Sequence, residues 1–145
     1  MIQRLQSVFL LLASGSSFGM FGTDVADSTV AGAPGLFADG SYTLFDDPVL
    51  IGLFAVAGVL FLADVFLFRN RPLQMKLSLA GVLLAVAGVA YGAFRLFTST
   101  PEAVLETVTP DLGVGLPVLA IIFGLMARSY IRADEKLVRS ADRLR

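Results

Sequence analysis

The chain has 145 residues, 56% of them hydrophobic and only 16% charged, with a mean hydropathy of +0.79. That balance leaves too little charged surface for a soluble domain and makes lipid the natural solvent. It contains no His, Cys or Trp, which excludes Cys/His zinc sites, His-ligated haem, Cys-ligated iron–sulfur clusters, disulfides, a Cys nucleophile and a Ser–His pair.

At this length one domain, 1–145, is expected. Four apolar stretches stand out, at about 5–21, 48–68, 73–97 and 113–131. Each is close to the roughly 17–25 residues that a helix needs to cross about 30 Å of hydrocarbon. A bilayer offers no partners to open backbone groups, so stretches this long must be helices. The first is the weakest, diluted by Ser14, Gly15, Ser16, Ser17 and Gly19. Arg4 before an apolar run, with small residues behind it, also has the layout of a signal peptide. The expectation is a retained first helix. Residues 15–19 match the G-x-S-x-G pattern of hydrolase elbows, but that motif needs a strand–turn–helix setting and a His base. Gly15 and Gly19 read better as a small-residue face for a neighbouring helix.

The loop 22–47 is rich in Gly, Asp, Ser and Thr. Within it, 36–45 predicts a small β-hairpin turning at Asp39-Gly40. Asp46 and Asp47, just before Pro48, read as the cap of the second helix rather than as a calcium loop. That helix is apolar apart from Asp64. The third helix carries Gly81, Ala85, Gly88 and Gly92, a second small-residue face, with packing inside the bundle preferred over dimerisation. Near its end Arg95 is expected to reach headgroups, Glu102 or Asp111. The loop 98–112 is bounded by Pro101 and Pro110, with a short helix expected over 102–108 and Pro101 at its first position. The fourth helix is expected to run on past the membrane through 132–145, which has no Gly or Pro. There Glu135 and Arg139 form an i,i+4 pair, and Leu137, Val138, Ala141 and Leu144 form an apolar stripe.

Four spans divide the loops into two sides. Ten of the eleven basic residues, all but Arg95, lie on the side of the two termini and the 69–76 loop. By the positive-inside rule that side is cytoplasmic. The fold class predicted is therefore an all-α membrane protein: a four-transmembrane-helix up-down bundle with both termini cytoplasmic, a small outer β-hairpin between helices one and two, and a fourth helix extended into the cytoplasm.

No catalytic, cofactor-binding or metal site is predicted, and nothing suggests nucleic-acid recognition. An intramembrane acid is costly and a functional candidate by default. Asp64 and Arg128 lie at comparable depth and carry opposite charge, so an ion pair between them is expected, with a proton- or ion-carrying Asp64 as the sharper alternative. Arg69, Arg71, Leu137, Val138, Ala141 and Leu144 are the candidate docking residues for a protein partner at the cytoplasmic face. A homo-oligomer is the other assembly considered.

Three stretches in this order, MIQRLQS at 1–7, LFRNRPLQM at 67–75 and DEKLVRSADRLR at 134–145, together resemble the bacterial membrane family catalogued as domain of unknown function 4293. The resemblance covers the whole chain in layout and is most specific in the tail. The Ser- and Gly-rich first helix departs from the more uniformly apolar run expected there. The resemblance implies four helices and an inner-membrane address, and it implies no activity. The function expected is a non-enzymatic accessory or scaffold subunit, with a small transporter or channel component using Asp64 as the alternative.

Overall fold

The computed structural model describes residues 2–30 and 35–142. Among these, five helices and a small sheet alternate along the chain. They are α1 (Ile2–Gly19), β1 (Ala26–Ser28), β2 (Ser41–Tyr42), α2 (Pro48–Phe66), α3 (Arg71–Ser99), α4 (Glu102–Leu105), β3 (Val108–Pro110) and α5 (Gly115–Asp142). Four of the helices are long and apolar enough to cross a membrane.

Local chemistry sets the helix ends. Asp47 caps α2, accepting the Val49 amide at 2.9 Å, and Pro48 follows in the first turn, where its missing N–H costs nothing. Asn70 caps α3 by accepting the Leu73 amide at 3.3 Å. The serines of α1 are compatible with a helix because their hydroxyls return to backbone carbonyls: Ser16 to Leu12 at 2.8 Å and Ser17 to Ala13 at 3.0 Å. Ser14 instead donates across to the Gly58 carbonyl of α2 at 3.0 Å. Of the residues that weaken the hydropathy of the first helix, Ser14 is thus the one that ties it to α2.

Each long helix packs on two others, α1 and α3 each lying against α2 and α5. Neighbours run antiparallel. Phe9 stacks on Tyr130 with ring centroids 5.3 Å apart, while at the other end of α1 Gly19 faces Leu116. Between α2 and α3, Phe54 lies on Gly88 and Phe61 on Gly81. The rings fill the hollows that missing side chains leave, and this close approach is what glycine contributes here. Phe61 also touches Gly124 of α5, so one ring is held by three helices. Gly81, Ala85 and Gly88 therefore serve packing within the chain. Gly15 has nothing near it, so the small face expected of Gly15 and Gly19 is reduced to Gly19.

The two long loops meet in one sheet of order β2-β1-β3, antiparallel throughout. The hairpin expected over 36–45 is not formed. Its turn exists, with the Gly40 amide donating to the Phe37 carbonyl at 3.1 Å and Gly40 at φ +93°. The partner of Ser41–Tyr42, however, is Ala26–Asp27, not residues 36–38. Phe37 is buried instead, packed edge-on to Tyr42. The short helix over 102–108 is also shorter than expected. Pro101 is its N-cap, the helix stops at Leu105, and Val108 begins β3.

Helix lengths decide what protrudes. α2 has 19 residues, about 28 Å at 1.5 Å per residue. α3 and α5 have 29 and 28, each over 40 Å on the same rise. A four-residue turn ties the start of α3 to the end of α2, so α3 overhangs at the sheet end. α5 starts at the sheet end, so its excess length projects at the opposite end, where the start of α1, the turn 67–70 and most of the basic residues gather. This is the basic end.

Candidate functional site

Three polar clusters stand out among the described residues, and each is placed by a different part of the fold.

At the sheet end, Asp47 is 5% exposed and fully engaged. Besides the Val49 amide it accepts the Tyr91 hydroxyl at 2.9 Å, and Arg95 Nε lies 2.9 Å from its Oδ2. The Arg95 N–H is not aligned for a hydrogen bond, so that contact is electrostatic. Burial acts to raise the Asp47 pKa, but the Val49 amide, the Tyr91 hydroxyl and Arg95 together hold the carboxyl below its usual value. Burial, reinforced by Asp47, pushes the Tyr42 phenol up to about 12. Asp47 therefore caps α2 as expected and also anchors it to α3. Arg95 reaches Asp47 rather than Glu102 or Asp111. It stands one turn beyond Tyr91 on the face of α3 that meets the start of α2.

Near the basic end, three fully buried polar side chains come from three helices: Gln6 of α1, Asp64 of α2 and Gln74 of α3. Gln74 donates to the Asp64 backbone carbonyl at 3.0 Å, which fastens the first turn of α3 to the last turn of α2. Among the described residues, both Asp64 carboxyl oxygens, both Gln6 amide atoms and Gln74 Oε1 have no hydrogen-bonding partner. Burying such groups unpaired is expensive. The layer has acceptors enough to bind a proton, water or a monovalent cation, but it offers only one carboxylate.

The expected Asp64–Arg128 pair is absent. Arg128 follows Ala127, which is fully buried. One residue turns a helix by about 100°, so Arg128 is aimed away from the interior. α2 and α5 also occupy opposite positions in the packing, each resting on α1 and α3. Matched depth did not carry matched direction.

The third cluster lies on the outside of the basic end. A groove of about 480 Å³ runs between the first turns of α3 and the last turns of α5. Arg128, Arg132, Lys136 and Arg139 line it from α5, and Lys76 lines it from α3. Of the candidate docking residues, Arg71 is committed to Asp134, with Nε donating to Oδ2 at 2.8 Å. Arg69 lies over the Phe68 ring, 5.7 Å from its centroid. Leu137 and Val138 are 56% and 39% exposed, and Ala141 is exposed too. Leu144 lies outside the described residues. The pair Glu135–Arg139 forms at 2.7 Å.

Gln6 and Gln74 were missed by sequence reasoning, although a signal was present. Gln6, Leu10 and Ala13 share a helical face, as do Gln74, Ser78, Gly81 and Ala85, and all seven are buried.

A family described as a domain of unknown function (DUF4293) matches residues 2–144. The chain belongs to the DUF4293 family. No curated protein and no solved structure matches it. Membership of DUF4293 agrees with the resemblance carried by the three stretches at 1–7, 67–75 and 134–145, and it assigns no chemistry to any of the three clusters.

Proposed function

We propose that this DUF4293 protein is a non-enzymatic accessory subunit of the bacterial inner membrane. It crosses the bilayer four times as an up-down bundle, keeps both termini in the cytoplasm, and docks a helical segment of a partner protein on the projecting end of α5. The observation that carries this reading is the continuity of one helical face. Ala127 and Ile131 are fully buried against the other helices. Seven residues on, at the same angular position, stand Asp134 and Val138, and another seven places on from Asp134 stands Ala141. Leu137 likewise follows Tyr130, which stacks on Phe9. The packing stripe of α5 thus continues beyond the helices that cover it, and the Arg71–Asp134 ion pair secures the point of exit. An apolar stripe flanked by charges at helical spacing is the surface an amphipathic helix recognises.

The natural absence of cysteine makes a direct test available. Val138→Cys introduces a single thiol for site-specific cross-linking in intact membranes. The expected result is one stoichiometric adduct with a helical segment of another protein, lost when Leu137→Glu is added. A monomer that forms no adduct, or adducts only with a second copy of this chain, would refute partner docking. The same thiol should resist membrane-impermeant maleimide in intact cells, as the cytoplasmic orientation requires.

A second reading, a small transporter or channel component using Asp64, is favoured by the unpartnered layer of Asp64, Gln6 and Gln74. Against it, the interior beyond that layer is filled by Phe61, Ala57 and Phe54, all 2% exposed or less, and the hydroxyls of the buried Ser14, Ser17 and Ser78 are spent on backbone carbonyls.

A further inference from the structure

The groove at the basic end is not explained by partner docking, because it lies on a different face of α5. Taking 100° per residue, Arg128, Arg132, Lys136 and Arg139 fall on one side of the helix, and Leu137 and Ala141 fall nearly opposite. Four cations in successive turns of one face repel each other, and Lys76 adds a fifth from α3. The single acid of the groove, Glu135, is already engaged by Arg139. For Lys76, Arg128, Arg132 and Lys136 the described residues supply no ion pair. The groove is therefore a concentration of positive charge whose one internal counter-charge, Glu135, is already taken by Arg139.

Apart from Lys76, its other wall is apolar. Pro72, Met75 and Leu79 line it from α3. The same face of α3 continues toward the sheet end with Leu83 and Val86, which are 59% and 44% exposed. A ligand seated here meets cations at one end and an open hydrocarbon track leading along the membrane-crossing part of α3 at the other. Arg128 to Arg139 spans eleven residues, about 16 Å along the axis, which is too long for a single phosphate to bridge. We propose that the groove is a binding site for one anionic phospholipid carrying two phosphodiesters, of the cardiolipin class. Its phosphates would lie along α5 and an acyl chain would run along the Met75–Leu79–Leu83 strip. Basic pockets between membrane helices at the cytoplasmic side are suited to such headgroups. An acidic peptide would satisfy the cations and leave the apolar track unused.

The inference rests on the membrane reading above, with the basic end at the cytoplasmic leaflet. Native mass spectrometry of the detergent-purified protein, offered defined mixtures of cardiolipin, phosphatidylglycerol and phosphatidylcholine, tests it. The expected result is one tightly retained cardiolipin. At about 1 kcal/mol per basic residue near the surface, the triple variant Arg128→Gln/Arg132→Gln/Lys136→Gln should weaken retention about 100-fold. Arg69→Gln removes a charge from the same end outside the groove and should leave retention within about fivefold. Thermal unfolding of each variant confirms that it is folded. Equal retention of phosphatidylcholine, or a triple variant that binds cardiolipin as the parent does, would overturn the site. Equal retention of phosphatidylglycerol would overturn the two-phosphate assignment. Displacement of the lipid by millimolar inorganic phosphate would show an anion site with no lipid selectivity. A protein that stays soluble without detergent would instead defeat the membrane reading itself.

Discussion

Replacing Gly81 by Ala introduces one methyl group at a place the structure leaves no room for it. A Cβ there would sit 2.8 Å from Phe61 Cε1 and 2.9 Å from Cζ, where carbon atoms at rest keep about 3.5–4.0 Å. The ring has no easy retreat. Phe61 is fully buried, and the same edge of its ring already touches Gly124, where an added Cβ would come within 2.9 Å of it. Overpacking of this kind costs about 1–3 kcal/mol. Alanine also favours a helix over glycine by up to about 1 kcal/mol, which masks part of the cost. Gly52 provides the reference, because it lies inside α2 on an exposed face with nothing within 4 Å of its Cβ position. Gly52→Ala receives the same helix gain without the clash. The difference between the two variants therefore isolates the packing term, about 1–3 kcal/mol. Unfolding in mixed micelles with increasing denaturing detergent, followed by far-UV circular dichroism, measures both. Phe61→Leu in the Gly81→Ala background should recover a large part of the loss, with a coupling of at least about 0.5 kcal/mol as expected for residues in contact. Equal midpoints for Gly81→Ala and Gly52→Ala, or strictly additive effects with Phe61→Leu, would refute the account of α2–α3–α5 packing.

The Asp47 anchor carries a pH signature. Its folded pKa is depressed, so its contribution is fully present above the unfolded carboxylate value of about 3.9 and is lost as pH falls through the lower folded value. A pH series of melting curves should be flatter on the acid side for Asp47→Asn. Asp47→Ala should cost about 0.5–2 kcal/mol from the lost cap alone, besides stranding Arg95. For the buried layer, Asp64→Leu should be neutral or stabilising if the carboxyl is only structural, because it removes an unpartnered buried group. Sodium- or proton-dependent flux in liposomes that disappears with Asp64→Asn, in a variant that folds normally, would instead establish the transport reading.

Much of this protein is legible in one dimension. The four long helices follow from hydropathy and length, because a helix must bridge a set thickness whatever its neighbours do. The cap of α2 follows from Asp47 preceding Pro48, a contact between near neighbours in sequence. The projection of α5 follows from an uninterrupted helical pattern with a favourable Glu135–Arg139 pair. The stripe of Leu137 and Val138 could be drawn from spacing alone. That it prolongs the buried face of α5 could not, because the reading depends on knowing that Ala127 and Ile131 are the residues covered.

The failures share a cause. The hairpin over 36–45 was inferred from a local turn signal, and the turn is present, but β2 takes its partner from β1 and β1 takes its other partner from the second loop. Those pairings join segments far apart in sequence, which no local rule sees. The Asp64–Arg128 pair was inferred from depth, a quantity sequence does give, without azimuth, which it does not. Arg95 found Asp47 for the same reason: the start of α2 stands beside the end of α3 only once the two are packed.

Composition and charge placement by themselves determined the number of long helices, their approximate limits and the separation of basic from acidic loops, since each depends on local length or on counting. Tertiary structure alone decided which faces meet. It placed Phe61 between Gly81 and Gly124, gathered Gln6, Asp64 and Gln74 into one layer, and closed a basic groove between α3 and α5. The physical reason is that periodicity fixes which residues share a face, whereas the direction of that face is set by how the helices pack around one another.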